Sequence, residues 1–398
     1  MNELYLSIAP HDPIIARDAR PLGPGLRMKS LDWPYPSVLA GSVRTMLGKI
    51  NGSDFNMKED VEKLKKISVA GPLPLYNGGI YFPAPGDIQV EEKDGNRIAH
   101  PVRPAEMGPG EGCNLPDKRL LPALLPDSVE DEFKPAKMAP FWSAKRMIEW
   151  LITDDATSFD APPDSKTVRS TPELLGSFLD FPGKEPRTHV KIKHGYGTAE
   201  NEMFFETTGL DFGAKGIQIA AKVDTGELAW KNSLHPLGGE RRLVLWKADK
   251  DPGWSCPSEI TQACGEKHHL RMVLATPAVF SNGWLPGWIK KDTLEGRPPD
   301  APKGVTLRLV SACISRWKPL SGWSLESGSR GPKPIRRLVP AGSVYFFETT
   351  EGNPADLVEP LWLMPVSDAM GGLDYSRDGF GLALWGLWNV GNESRTDE

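Results

Sequence analysis

The side chains in this sequence best suited to chemistry are four groups of cations. Arg17, Arg20 and Arg44 lie near the N-terminus, and Arg187, Lys191 and Lys193 alternate with His189 and His194. Arg241 and Arg242 follow Gly238, Gly239 and Glu240, and Arg330, Lys333, Arg336 and Arg337 form the last group. An extended polynucleotide needs cations for its phosphates, backbone amides from glycine-rich turns, and pockets for splayed bases. Each group fits that need, and each also fits an ordinary solvated face. For Arg241 an ion pair with Glu240 or another carboxylate is an equal alternative.

Catalysis has one candidate. A metal-independent ribonuclease needs a histidine as general base or acid, and His11 sits in the loop after the first predicted strand. Its neighbours Asp12 and Pro13 also suit a plain turn. No G-x-S-x-G, Walker A or H-E-x-x-H pattern occurs, so hydrolase, NTPase and zincin chemistry lack support. Cys113, Cys256, Cys264 and Cys313 form no C-x-x-C pair. Cys256, Cys264, His268 and His269 cluster locally, with a spacing that matches no usual zinc finger or ribbon. The expectation is free thiols in a reducing compartment, with no metal and no cofactor.

The net charge of −5 over 398 residues and a pI near 5.9 exclude a grip on nucleic acid by bulk positive charge, so any contact must be local. With 39% hydrophobic and 25% charged residues, the chain has material for ordinary cores, and its length suggests about two domains. The N-terminal MNELYLSIAP lacks the basic and apolar regions of a secretory signal. Mean hydropathy is −0.36, and no apolar run reaches the roughly 18 residues of a membrane span. The protein is expected in the cytoplasm, off the membrane.

Elements must position these groups. Residues 4–8 alternate as a strand, and Ser37 is placed to N-cap a helix whose apolar positions recur until Gly48. Asn77, Gly78 and Gly79 between residues 73–76 and 80–82 predict a hairpin. From about residue 84 to 200 prolines break regular structure and predict an irregular insertion, in which only residues 141–152 read as a helix. Strands are predicted at 203–207, 216–223, 241–247, 270–276, 305–311, 343–348 and 380–388. The fold class is α+β, with a domain over residues 1–265 that carries the insertion and another over 266–398.

The stretch RDGFGLALWGLW places Arg377 before Gly379, Gly381 and Gly386, loosely like the RNA-binding strand of RRM domains, and equally like a core strand or bulge. It closes a series of motifs: SIAPHDPIIARDARPLG with WPYPSVLAGSVRTMLG, then LGGERR, TPAVFSNGWLP and SGWSLESGSRGPKPIRRLVPAGSVYFF. In this order, over nearly the whole chain, they resemble the third-subunit family of the type III-B CRISPR Cmr module, in the RAMP superfamily. The proline-rich insertion matches poorly. Where RAMP Gly-rich loops end in a further glycine this chain has Trp388, with no Lys or Arg between Gly381 and Gly386.

The resemblance implies two ferredoxin-like (RRM-like) domains and no nuclease. It implies binding of the repeat-derived 5′ tag of the CRISPR RNA, with a large polymerase-like subunit and backbone RAMP subunits as partners. The local cations, the glycine-rich turns and the start of the first helix agree with that, and the candidate RNA contacts are Arg17, Arg20, Ser37, Arg44, Lys191, Lys193, Arg241, Arg336, Arg337, Gly379 and Gly381. Two other readings stay open. One is a crRNA-processing endoribonuclease using His11. The other is a protein-only scaffold whose 13 tryptophans, among them Trp284, Trp288, Trp317 and Trp323, serve interfaces.

Overall fold

Alternation makes β1 (Glu3–Pro10) a central strand, with Leu6 and Ile8 fully buried on one face. The computed structural model describes the chain except residues 1, 18–27, 29, 128, 130, 131, 154–158, 214, 215, 266, 267, 325–329 and 390–398. Helix α1 (Pro36–Ile50) follows, and its Leu39, Val43, Met46 and Leu47 share a core with Leu6, Ile8, Ile219 and Val223. Each such side chain contributes about 1.5–3 kcal/mol on burial. Two expectations fail here in detail. Ser37 is not the N-cap: Tyr35 holds that position and Pro36 fills the first turn, where its missing N–H costs nothing. Nor does Gly48 stop the helix. It lets Leu64 of α2 (Lys58–Lys65) and Phe55 press against the backbone, where a Cβ would lie 2.8 Å from both side chains.

The first sheet adds β2 (Ser68–Tyr76), β3 (Gly79–Pro83), β4 (Phe141–Ser143) and β5 (Phe178–Leu179). Strands β6 (Gly183–Ile192) and β7 (Ala199–Asp211) form a separate two-stranded hairpin. Then β8 (Gln218–Asp224), β9 (Ser233–Pro236) and β10 (Leu243–Asp249) complete the sheet in the antiparallel order β5-β4-β3-β2-β8-β1-β10-β9. The β2–β3 turn is the predicted hairpin, with Asn77 and Gly78 at φ 48° and 78°, the two left-handed residues a type I′ turn requires.

The proline-rich segment is more regular than its composition suggests. Its residues 141–143 extend as a strand between β3 and β5 before helix α3 (Ala144–Ile152) begins. Its last part forms β6, which with β7 carries the hairpin past residue 200.

The second sheet runs from a short edge at Glu295–Gly296 through β12 (Thr306–Cys313), β15 (Val344–Glu351), β11 (His269–Leu274) and β16 (Ala383–Leu387), all antiparallel. Between β12 and β15 the chain makes an arm from β13 (Lys318–Leu320) and β14 (Arg336–Leu338). The central strands of both sheets share one permutation. In each, the first lies between the third and fourth, and the second lies outside the third.

Helix α3 and helix α4 (Ser258–Cys264) pack on β16. Gly386 permits this, because a Cβ there would lie 2.5 Å from the Leu151 carbonyl. One hydrophobic cluster therefore joins residues of both sheets, from Leu73 and Phe82 to Leu270 and Trp385.

Inside that cluster sits a charged knot. Asp87 is fully buried and accepts from Arg271 Nη1 at 2.7 Å, Arg103 Nη1 at 3.0 Å and Trp150 Nε1 at 3.1 Å. Both guanidinium groups stack on Trp150, at 4.4 Å for Arg271 and 4.8 Å for Arg103, and Arg271 also donates to the Trp150 carbonyl. Burial pushes the Arg271 pKa down to about 10, against the pull of Asp87. Replacing Asp87 by Ala leaves two buried cations without their anion, so urea denaturation should show a loss of about 3–5 kcal/mol. A loss below about 1 kcal/mol would contradict the knot's role.

Candidate nucleic-acid interface

The arm between β12 and β15 has two unlike faces, as alternation dictates. Leu320 and Leu338 turn inward and are buried with Tyr35, Val279, Tyr375 and Phe380. Opposite them, Arg337 pairs across the ribbon with Pro319, and beyond it Trp323 pairs with Pro332. Trp317, Trp323 and Ile335 are 46%, 61% and 66% exposed, which is unusual for side chains this large and apolar.

The arm's charge is one-sided. Arg316, Lys318, Arg330, Lys333, Arg336 and Arg337 face a single acid in the stretch, Glu326, which lies outside the described residues. None of the six belongs to an ion pair among the described residues. Arg336 Nε is buried without a hydrogen-bond partner. The Arg337 guanidinium lies over the Trp317 ring at 4.9 Å, a cation–π contact that holds it in place without adding a counter-charge. Elsewhere arginines meet carboxylates: Arg146 with Glu149 at 3.1 Å, Arg242 with Glu240 at 2.9 Å, Arg377 with Asp374 at 2.9 Å, and Arg187 with Glu185.

At the arm's root a cavity of about 250 Å³ opens toward the start of α1. Trp33, Tyr35, Phe141 and Phe181 form its walls, and Lys318 stands at its arm side. Pro36 and the first turn of α1 border it, which places Ser37 nearby without giving it a capping role.

The other predicted residues scatter. Arg17 is exposed and bridges Ser30 through the backbone, while Arg20 lies outside the described residues. Lys191 and Lys193 are exposed near the end of the β6–β7 hairpin, beside Tyr196, which is 80% exposed. On that hairpin His189 stacks on Phe205 at 4.8 Å. Arg241 is exposed with φ 53°, and it is Arg242 that pairs with Glu240. His11 is exposed at the end of β1, its backbone N–H bonded to the Leu243 carbonyl.

Three predicted RNA contacts are corrected. Arg44 is a structural brace: its guanidinium donates to the Ile67 carbonyl at 2.8 Å, to the Arg377 carbonyl at 3.1 Å and to Asp378. Gly379 and Gly381 are buried against protein backbone and offer RNA no surface. A Cβ on Gly379 would lie 2.5 Å from the Val69 carbonyl, and one on Gly381 2.6 Å from Ser367 Oγ. The Gly-rich stretch therefore seats the turn before the last strand against β2 and Ser367, which sequence alone does not separate from close approach by a ligand. Arg316 and Lys318 escaped the sequence reading, although their alternation with Trp317 was the available signal.

Of the cysteine and histidine cluster, Cys264 is buried, Cys256 and His269 are half-buried and His268 is exposed. Burial pushes the Cys256 thiol up to about 11 and the Cys264 thiol up to about 12, and His269 packs on Trp388. No group of three or more His, Cys, Asp or Glu among the described residues could hold a metal ion.

A family model described as "CRISPR-associated protein (Cas_Cmr3)" matches residues 6–388. No curated protein matches the chain. Among solved structures, a chain of the type III-B Cmr-beta complex bound to cognate target RNA and AMPPnP aligns at 13% identity and a TM-score of 0.45, with 86% of each chain covered. A chain of the same complex bound to cognate target RNA aligns at 12% identity with the same TM-score and coverage. A chain of the Csm3–Csm4 subcomplex of the type III-A interference complex aligns at 11% identity and a TM-score of 0.33, covering 87% of this chain and 94% of that one.

The glycine correction is testable. Gly379 has φ 88°, so Gly379→Ala combines a strained backbone with a clash and should cost roughly 1–3 kcal/mol. RNA affinity of the folded fraction should stay at the wild-type value. A normal melting temperature with weakened RNA binding would return Gly379 to the interface.

Proposed function

The chain belongs to the Cas_Cmr3 family of CRISPR-associated proteins, and from that premise we propose that it is a non-catalytic RNA-binding subunit of a type III-B effector complex. It works in the cytoplasm, holds the repeat-derived 5′ tag of the CRISPR RNA, and docks the large polymerase-like subunit and the backbone RAMP subunits. The observation that carries the RNA reading is the arm, where six cations make no ion pair among the described residues of an otherwise acidic chain. An anionic ligand of regular charge spacing is the partner that such an arm fits.

Each sheet reads as one ferredoxin-like domain, a reading supported by the strand permutation common to both. Arg337 meets phosphates on the outward side of the arm, Lys318 and Arg336, which lie on the leucine side by register, meet them at the arm's root, Arg17 and Arg241 extend the exposed cationic surface, and Lys191 and Lys193 offer a separate contact on the hairpin. The ribonuclease reading finds little support in the exposed, turn-like setting of His11.

Fluorescence anisotropy with tag RNA, read against salt, tests the proposal. The Arg336→Ala/Arg337→Ala double variant should bind more weakly to all sequences, with the salt slope reduced by roughly 0.7 for each phosphate that the variant no longer neutralises. A folded double variant with wild-type affinity and slope would place the RNA elsewhere.

A further inference from the structure

We propose that the outward face of the arm is a stacking platform for unpaired RNA nucleotides, with one base on Trp317 and another on Trp323. This deepens the RNA-binding reading and rests on it. Both indoles are about half exposed or more on a ribbon whose inner face is anchored in the core. They are held out to solvent by a packed base, which limits the ordering cost of binding. They lie six positions apart in the sequence, at most about 20 Å along extended chain, so they serve different bases.

RNA fits this face better than an apolar protein surface. A protein partner would have to supply a carboxylate for each of the arm's unpaired cations. A single RNA strand supplies a phosphate with every base, so one ligand satisfies indole and cation together. Arg337 shows the coupling directly, since the ring that would take a base also holds its guanidinium at 4.9 Å. The ligand must be unpaired, because a base inside a duplex shows no face to an indole.

The platform also lacks the side chains that single out adenine or cytosine. The described arm, residues 314–324 and 330–341, contains no Asn, Gln, Asp or Glu. It therefore lacks the bidentate amides and the carboxylates that read adenine and cytosine edges. Its arginines and lysines leave guanine as the one base whose edge the described arm can read.

Binding of oligouridine and oligoadenosine 12-mers to the full-length chain is the test, at two salt concentrations and with melting temperatures recorded. Trp317→Ala and Trp323→Ala should each weaken both oligomers by about five- to a hundredfold. The two oligomers should weaken by similar factors, and the salt slope should stay unchanged. Trp323→Tyr should keep most of the affinity, which a purely structural tryptophan would not explain. Folded alanine variants with wild-type affinity overturn the platform. So does a Trp323→Ala variant that binds RNA normally but no longer co-purifies with the large subunit. Wild-type protein that shows no salt-dependent RNA binding overturns the parent reading as well, and is distinguished by its failure before any substitution.

Discussion

One buried carboxylate fixes the geometry on which the candidate interface depends. Asp87 ties β11 to the inserted segment through Arg271, Arg103 and Trp150, and charges this deep persist only when paired. The residues just before it pass between the two ends of the arm. The Gly86 N–H donates to the Gly342 carbonyl at 2.7 Å, and a Cβ on Gly86 would lie 3.5 Å from the Cys313 carbonyl. Gly342, at φ 83°, crosses so close to Ala84 that a Cβ would fall 2.4 Å from its carbonyl oxygen. Cys313 ends the strand before the arm and Gly342 precedes the strand after it. The knot thus holds both roots of the arm, and the arm's cations project from a rigid base.

Charge is sorted rather than merely present. The chain carries 52 acids against 47 Lys and Arg, and most described arginines away from the arm are engaged by carboxylates. Arg44 braces Asp378, and Arg308 pairs with Glu348 across two strands. Against that background a ribbon whose cations make no ion pair among the described residues makes a local positive field, which orients a polyanion toward one face while the acidic remainder repels it. The exposed tryptophans lie on the same ribbon, so electrostatic attraction and base stacking act at one place.

Much of the frame was legible in the sequence. The 3.6-residue recurrence from Leu39 to Leu47 announced α1, and Asn77-Gly78 announced its hairpin, because both signals are local. What was not legible depended on partners far along the chain. Arg44 looked like a free cation until Asp378, 334 residues away, took it. Gly379 and Gly381 looked like ligand-facing glycines because close approach leaves the same mark whether the neighbour is RNA or protein, here β2 and Ser367. Residues 141–143 read as helix because their apolar spacing suits either state, and pairing with β3 decided for a strand. The arm's tryptophans were noticed as interface anchors, but only the fold shows that they share a ribbon with cations that make no ion pair among the described residues.

The central claim is that RNA lies along the arm. Photo-cross-linking of a 4-thiouridine-substituted tag RNA to the full-length chain, with the attached peptides identified by mass spectrometry, tests it most directly. RNA bound along the arm should give dominant cross-links within residues 316–338, at Trp317 and Trp323 above all. Cross-links confined to the β6–β7 hairpin around residues 191–196, with none in the arm, would contradict it.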